Sequence, residues 1–426
     1  MDQTSEFAAV AIRDNQLVAW PRVAAVAAMV AFSLPTFVTG LEVGAGLSVV
    51  NTAWALLWGS VIIVVIGAVM GVIGARSRMS SYLLVRVAFG DKGAAVVNLA
   101  FAVSLLGWFG VNINLFMEAV AGLGRDVFEV EASPVLLAIF ASFCMTVTTL
   151  VGFKAINILA SLLVPVLALV TFLLAQTALS QQSLSDLAAI EKVETLTTGE
   201  GISAIVGAII IGAIILPDIT RFVRHWSGAI YTAVIAYIVV QLAVMGAAAL
   251  AGAASGKSDI LEIMLDMNLG LGAFAIVIAG SWVLNSLNLY SAVLGVKATF
   301  PKLQTVALTI GLGVIGVGAA LLNILDGFIT FLFYLSVIFI PVAGVLMIDA
   351  LLIRPGLYRI ETLSNNRAFN WKGFVAWAVG AVWAVVASEQ IIPSPTKIAA
   401  MDAIILSGLI YIALAWSDRR AVRASV

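Results

Sequence analysis

The sequence predicts an all-α polytopic membrane protein of twelve transmembrane helices, arranged as two inverted five-helix repeats with two further helices appended. Three observations predict it. Of the 426 residues, 62% are hydrophobic and 11% charged, with a mean hydropathy of +1.12, a composition that suits lipid and not water. A window of about 19 residues finds twelve apolar segments of spanning length. The first and sixth of these carry the same Leu-Pro interruption, an offset of five spans.

In order, the segments lie at about 23–49, 53–75, 94–122, 134–152, 156–177, 203–222, 228–254, 271–296, 304–322, 327–350, 371–389 and 398–416. Basic residues collect at alternate loops: Arg13 and Arg22; Arg76, Arg78, Arg86 and Lys92; Lys154; Arg221 and Arg224; Lys297 and Lys302; Arg354, Arg359, Arg367 and Lys372; Arg419, Arg420 and Arg423. The loops between are acidic: Asp126, Glu129 and Glu131; Asp186, Glu191, Glu194 and Glu200; Asp259, Glu262 and Asp266. By the positive-inside rule both termini are cytoplasmic, in a plasma or inner membrane. The chain divides into a tail at 1–21, a first repeat at 22–177, a second at 203–350, the last two spans at 371–416 and a tail at 417–426. Residues 1–20 lack the basic, apolar and small-residue succession of a signal peptide.

Several function classes fall away. A net charge of −1 carries no nucleic-acid footprint. With Cys144 the single cysteine and His225 the single histidine, neither an intrachain disulfide nor a His/Cys metal cluster is available, and no cofactor motif stands out. His225 lies in the basic loop RFVRHWS, which argues against a His-based intramembrane hydrolase. A channel would not need matched broken helices; a non-transporting sensor is the remaining alternative from another class.

The polar residues inside the spans point to a solute site. Span one reads AFSLPTFVTG and span six GAIILPDITRF. Proline removes a backbone donor and clashes with the preceding turn, so each span breaks near Ser33–Pro35 and Gly212–Pro217. Broken helices at matching places in inverted halves mark a transporter's midplane site. Span three carries Ser104, Trp108 and Asn112 on one face, a flat aromatic beside an amide. In span eight, SWVLNSLNLYS puts Ser281, Asn285 and Asn288 on one face. Buried amides in hydrocarbon need partners, either across a helix–helix contact or in a polar site.

Five stretches, VTGLEVGAGLS (38–48), RVAFGDKGA (86–94), GWFGVN (107–112), PDITRF (217–222) and LNLYSAVLGV (287–296), resemble the nucleobase:cation symporter-1 family. No single one is specific; their order and spacing over about 260 residues carry the resemblance. It implies the five-plus-five inverted-repeat fold, with spans 1, 2, 6 and 7 as a bundle rocking against a scaffold of 3, 4, 8 and 9. It also implies a substrate pocket of Ser33, Trp108, Asn112, Ala208, Ile209, Asn285 and Asn288.

Three positions depart from the family pattern. Ile209 stands where relatives place a second aromatic, and Leu105 where cytosine permeases have glutamine, so a different base, a hydantoin or a hydroxymethylpyrimidine-like ring is open. Val283 and Leu284 stand where sodium-coupled relatives offer two hydroxyls. A hard cation needs several oxygen ligands. The reading is therefore a secondary transporter for a nucleobase or similar small planar heterocycle, coupled to protons in preference to sodium, the alternative being a sodium-coupled or uncoupled permease for a hydantoin- or hydroxymethylpyrimidine-like compound. Asp218, Glu42 and Glu118 are the carboxylates that could relay a proton. Asp218 could instead pair with Arg221 at i+3, and Glu42 could sit at the outer interface.

Overall fold

The computed structural model describes Ile12, 14–128, 131, 133–321, 328–389 and 391–424. Arg13 and Glu129, and most of the tail at 1–21, lie outside the described residues. Those described are almost entirely helical, the one β contact being an isolated parallel bridge between Val18 and Val223.

Span one is two helices, α1 (Trp20–Ala31) and α2 (Leu34–Gly46), bent by 53°. The cause is local. Pro35 cannot donate to the preceding turn, and Ser33 is extended (φ −92°, ψ 152°), which ends the first helix two residues earlier. The freed carbonyl of Val30 is taken up inside the break, accepting from Ser33 Oγ (2.8 Å) and Thr36 Oγ1 (3.1 Å). Then come α3 (Val49–Ser77), the short α4 (Ser81–Phe89), α5 (Asp91–Phe128), α6 (Pro134–Val151) and α7 (Phe153–Gln181), which complete the first repeat.

The second repeat follows a short α8 (Leu184–Ala189). Span six is α9 (Thr198–Ile214) and the single turn α10 (Pro217–Thr220). It is interrupted at Ile215–Leu216, inside the expected interval, yet unlike span one it continues as one rod across 198–220. The reason is that Leu216 stays helical (φ −52°, ψ −29°) and accepts from Ile219 and Thr220, so Pro217 begins a new turn in the old direction. Span seven runs α11 (Ser227–Val234), a π-helical stretch Ile235–Val240, and α12 (Gln241–Ser255). After α13 (Ile260–Asp266), span eight runs α14 (Gly270–Ala275), a second π stretch Ile276–Gly280, and α15 (Ser281–Thr299). The chain ends with α16 (Thr305–Ala320), α17 (Phe328–Ile348), α18 (Trp371–Ser388) and α19 (Ala399–Ala424). Eight long apolar helices, the bent pair and three shorter apolar helices take up the twelve expected positions.

Packing sorts these helices into two groups. α2, α3, α9 and α12 pack on one another, while α5 packs on α6, α15 and α16. Small residues allow close approach in the first group: a Cβ on Gly40 would lie 2.6 Å from Met245 Cα. The outward faces of α6 and α7 expose Phe140, Phe143, Leu162 and Phe172, an apolar surface fit for lipid.

Candidate functional site

The break in span one leaves a hollow in the middle of the molecule, walled by α1 and α2, α9 and α10, the π stretch of span seven, α5 and α15. Its lining is mostly aliphatic: Ala27, Val30, Leu105, Ile209, Ile211, Leu284 and Leu287. Set into that surface are Ser33, Thr36, Trp108, Asn288, Ser291, Asp218 and Tyr237. This is the usual make-up of a small-molecule site, apolar walls with a few placed polar groups. A larger vestibule lies at the acidic end, past Leu34 and Val38, so the larger opening lies on the acidic-loop side.

Of the seven residues expected to hold substrate, Ser33, Trp108, Ala208, Ile209 and Asn288 line the hollow. Asn112 and Asn285 do not. Both are fully buried between α5 and α15, where Asn112 Nδ2 donates to Asn285 Oδ1 (3.0 Å) and Asn285 Nδ2 to the Phe109 carbonyl (3.1 Å). Asn288 Nδ2 reaches back to Asn285 Oδ1 at 3.4 Å, so this pair stands behind the amide that faces the hollow. Helical spacing put the three span-eight polar residues on one face, but Asn285 and Asn288 differ by 60° around that face, enough to turn one toward α5 and the other inward.

The three proton-relay candidates occupy different surroundings. Glu42 and Glu118 are exposed, and Glu118 lines the vestibule with Asp259 and Glu262. Asp218 is buried at the floor of the hollow. Its carboxylate accepts from Ser81 N (2.9 Å), Ser81 Oγ (2.6 Å) and Ser291 Oγ (2.9 Å). Ser81 begins α4, so the carboxylate also caps the positive end of a helix. Arg221, three residues on, directs Nε to the Asp218 main-chain carbonyl (3.1 Å) and Nη2 to Tyr290 Oη (2.9 Å). Below it the basic end is closed. Phe222 stacks on Phe153 at 4.3 Å, and Arg78 donates to the carbonyls of Arg221 (3.0 Å), Val223 and Arg224 (3.3 Å).

Sequence reasoning missed Thr36, Ser291 and Tyr237 in the lining. Tyr237 carried a usable signal: a tyrosine at mid-span, with Gln241 four residues on, is as unusual in an apolar segment as Trp108.

Span eight does approach the span-one break, for a Cβ on Gly280 would lie 2.5 Å from the Phe32 carbonyl oxygen. One turn further, Val283 and Leu284 bring no oxygen to it.

A broken first helix, a helical span six re-nucleated at proline and a polar-dotted hollow between two helix groups define a membrane transporter of the five-plus-five inverted-repeat class. The chain belongs to the family of permeases for cytosine/purines, uracil, thiamine and allantoin, whose profile matches residues 23–410. It is 29% identical over 346 residues to the cytosine permease of Escherichia coli (strain K12), covering 80% of each chain. Among solved structures it is similar to Mhp1, a nucleobase-cation-symport-1 family transporter, in a closed conformation with bromovinylhydantoin bound. That likeness has a TM-score of 0.79 at 19% identity and covers 96% of this chain and 94% of the other. The inward-facing conformation of Mhp1 matches with a TM-score of 0.73 at 18% identity, covering 95% and 90%.

Proposed function

We propose that this chain is a secondary transporter that carries a nucleobase or a related small planar heterocycle across the plasma or inner membrane by alternating access, driven by protons, with both termini cytoplasmic. The observation that carries the reading is the hollow itself: an indole face, one inward amide and hydroxyls on an otherwise aliphatic surface, with a buried carboxylate at the floor. Trp108 offers a stacking surface to a flat ring, and the Asn288 carboxamide offers both a donor and an acceptor to its edge.

What supports proton coupling is where Asp218 makes its bonds. The residue belongs to span six, while Ser81 and Ser291 belong to α4 and α15, on the other side of the closed basic end. Ionised, the carboxylate accepts all three bonds and holds the two groups together. Protonated at Oδ2, it loses its charge and must donate to Ser291 Oγ instead of accepting from it, while Oδ1 keeps only neutral, weaker bonds from Ser81, and the tie loosens. A proton arriving through the hollow would thus favour opening toward the cytoplasm.

Sodium coupling is a second reading with one observation in its favour. Ser281 Oγ is buried and has no hydrogen-bond partner among the described residues, beside Gly280 and the Phe32 carbonyl. Against it, the Val30 carbonyl of the break already accepts two hydroxyls, and a hard cation takes about six oxygens. Thermal unfolding of purified protein with cytosine, uracil, hypoxanthine and hydantoin, in sodium and in choline at equal ionic strength, separates the readings, because a bound ligand stabilises the native state by mass action. A rise in melting temperature with a base, equal in both salts, is expected. A rise that needs sodium favours the second reading, and no rise with any ring compound removes the first.

A further inference from the structure

Besides Trp108, the hollow holds one other large side chain with a polar tip, Tyr237. It comes from the π-helical stretch of span seven, where the wider turn offsets the register between α11 and α12. Two glycines fix its position. Gly67 of α3 receives the ring: a Cβ there would lie 2.6 Å from Tyr237 Cε2, so only glycine leaves room for the aromatic edge. Gly212 of α9 leaves the tip uncovered: a Cβ there would stand 3.9 Å from Tyr237 Oη and 3.7 Å from Val30. Gly212 and Val30 both line the hollow, so the hydroxyl looks into it past Gly212.

That hydroxyl is unpaired: Tyr237 is 2% exposed, yet its Oη makes no hydrogen bond among the described residues. Buried tyrosine hydroxyls ordinarily find a partner, because a buried unpaired polar group is costly. The other polar tips of the lining are engaged: Ser33 and Thr36 with Val30, Ser291 with Asp218, Asn288 with Asn285. The π stretch that carries Tyr237 packs on α1 and α3, whereas Trp108 and Asn288 belong to α5 and α15, which pack on each other. A ring stacked on Trp108 with one edge at Asn288 turns its other edge toward span seven.

Resting on the transport reading above, we propose that Tyr237 is a specificity-determining residue whose hydroxyl donates to a ring carbonyl oxygen on the substrate edge away from Asn288. The substrate is then a planar heterocycle with hydrogen-bonding groups on two edges, and a ring lacking the second acceptor is rejected because the hydroxyl stays unpaired.

The test is a binding cycle. Dissociation constants are measured for hypoxanthine against purine and for cytosine against 4-aminopyrimidine, each pair differing by a ring carbonyl, on wild type, Tyr237→Phe and Gly212→Ala. Wild type should prefer the carbonyl member of at least one pair by ~10-fold or more, and Tyr237→Phe should reduce that preference to within ~3-fold with its ligand-free melting temperature unchanged. Gly212→Ala adds a methyl group at ordinary contact distance and should fold, and by covering the hydroxyl it should reduce the same preference. An undiminished preference in both variants overturns the assignment to Tyr237 while leaving the transport reading intact. Failure of all four compounds to bind wild type removes both.

Discussion

Two buried aspartates in this protein are treated in opposite ways. Asp349 opens a π-helical stretch at the basic end of α17, and its carboxylate is fully engaged. Arg354 grips it with Nε at 2.8 Å and Nη2 at 2.6 Å, and the hydroxyls of Tyr358 and Tyr411 each reach it at 2.7 Å. Arg354 also donates to the Val87 carbonyl, and Asn370 to that of Ala88, so the cluster caps the end of α4 while fastening α19 to α17. Asp218 lies at the other end of α4, holding its first N–H, but one side of it faces a hollow. A buried charge with all its partners fixed is an anchor. A buried charge bordering free space between two helix groups can change its partners, and that is what transport needs.

The largest expected effect belongs to the anchor. Arg354→Ala leaves Asp349 buried with two tyrosines, and removing one member of a buried pair costs ~3–5 kcal/mol. Loss of a monodisperse peak in detergent, or a melting temperature many degrees lower, is expected; an unaltered melt would show that the cluster carries no stability. At the hollow, Trp108→Ala should weaken binding of the preferred base by ~1–3 kcal/mol through lost stacking, about ten- to a hundredfold, with little change in ligand-free stability. Equal affinity in that variant would move the site elsewhere.

Asn285 and Asn288 give the comparison within one helix. Asn285→Ala strips partners from Asn112 and the Phe109 carbonyl and should cost ~1–3 kcal/mol of stability. Asn288→Ala should instead leave the melt nearly unchanged and weaken the base roughly tenfold. Paired melting and binding measurements decide it, and identical behaviour of the two variants would erase the distinction.

The smallest effect is at a solvated carboxylate. Glu194 accepts from Ser48 N and Asn51 Nδ2, both at 2.8 Å, and these bonds hold its pKa below the usual 4.5. A depressed folded value stabilises above the unfolded pKa, so the contribution is intact at neutral pH and fades as pH falls below about 4.5. Glu194→Gln should flatten the melting profile only in that acid range.

What could be read from the sequence follows the same division. Hydropathy and loop charge gave twelve positions because lipid demands long apolar runs. Pro35 and Pro217 gave both interruptions because the missing N–H is a covalent fact. That span one bends and span six does not depended on Ser33 turning extended while Leu216 stayed helical, which the shared Leu-Pro pair does not encode. Trp108, Asn288 and Asp218 were singled out as polar or aromatic residues within spans. Asn112 and Asn285 satisfy the same criterion, and their mutual hydrogen bond is visible only once α5 and α15 are packed. Tyr237 reaches the hollow through a π stretch and two glycines, a register no periodicity of 3.6 foresees.

The most direct measurement is uptake of the base that binds, into proteoliposomes under an imposed gradient, for wild type and Asp218→Asn. Wild type should accumulate it when the outside is acidic and not when sodium alone is higher outside. Asp218→Asn should still exchange the base across the membrane by counterflow while losing accumulation. Accumulation driven by sodium alone, or a pH-driven accumulation that survives in Asp218→Asn, would contradict the account.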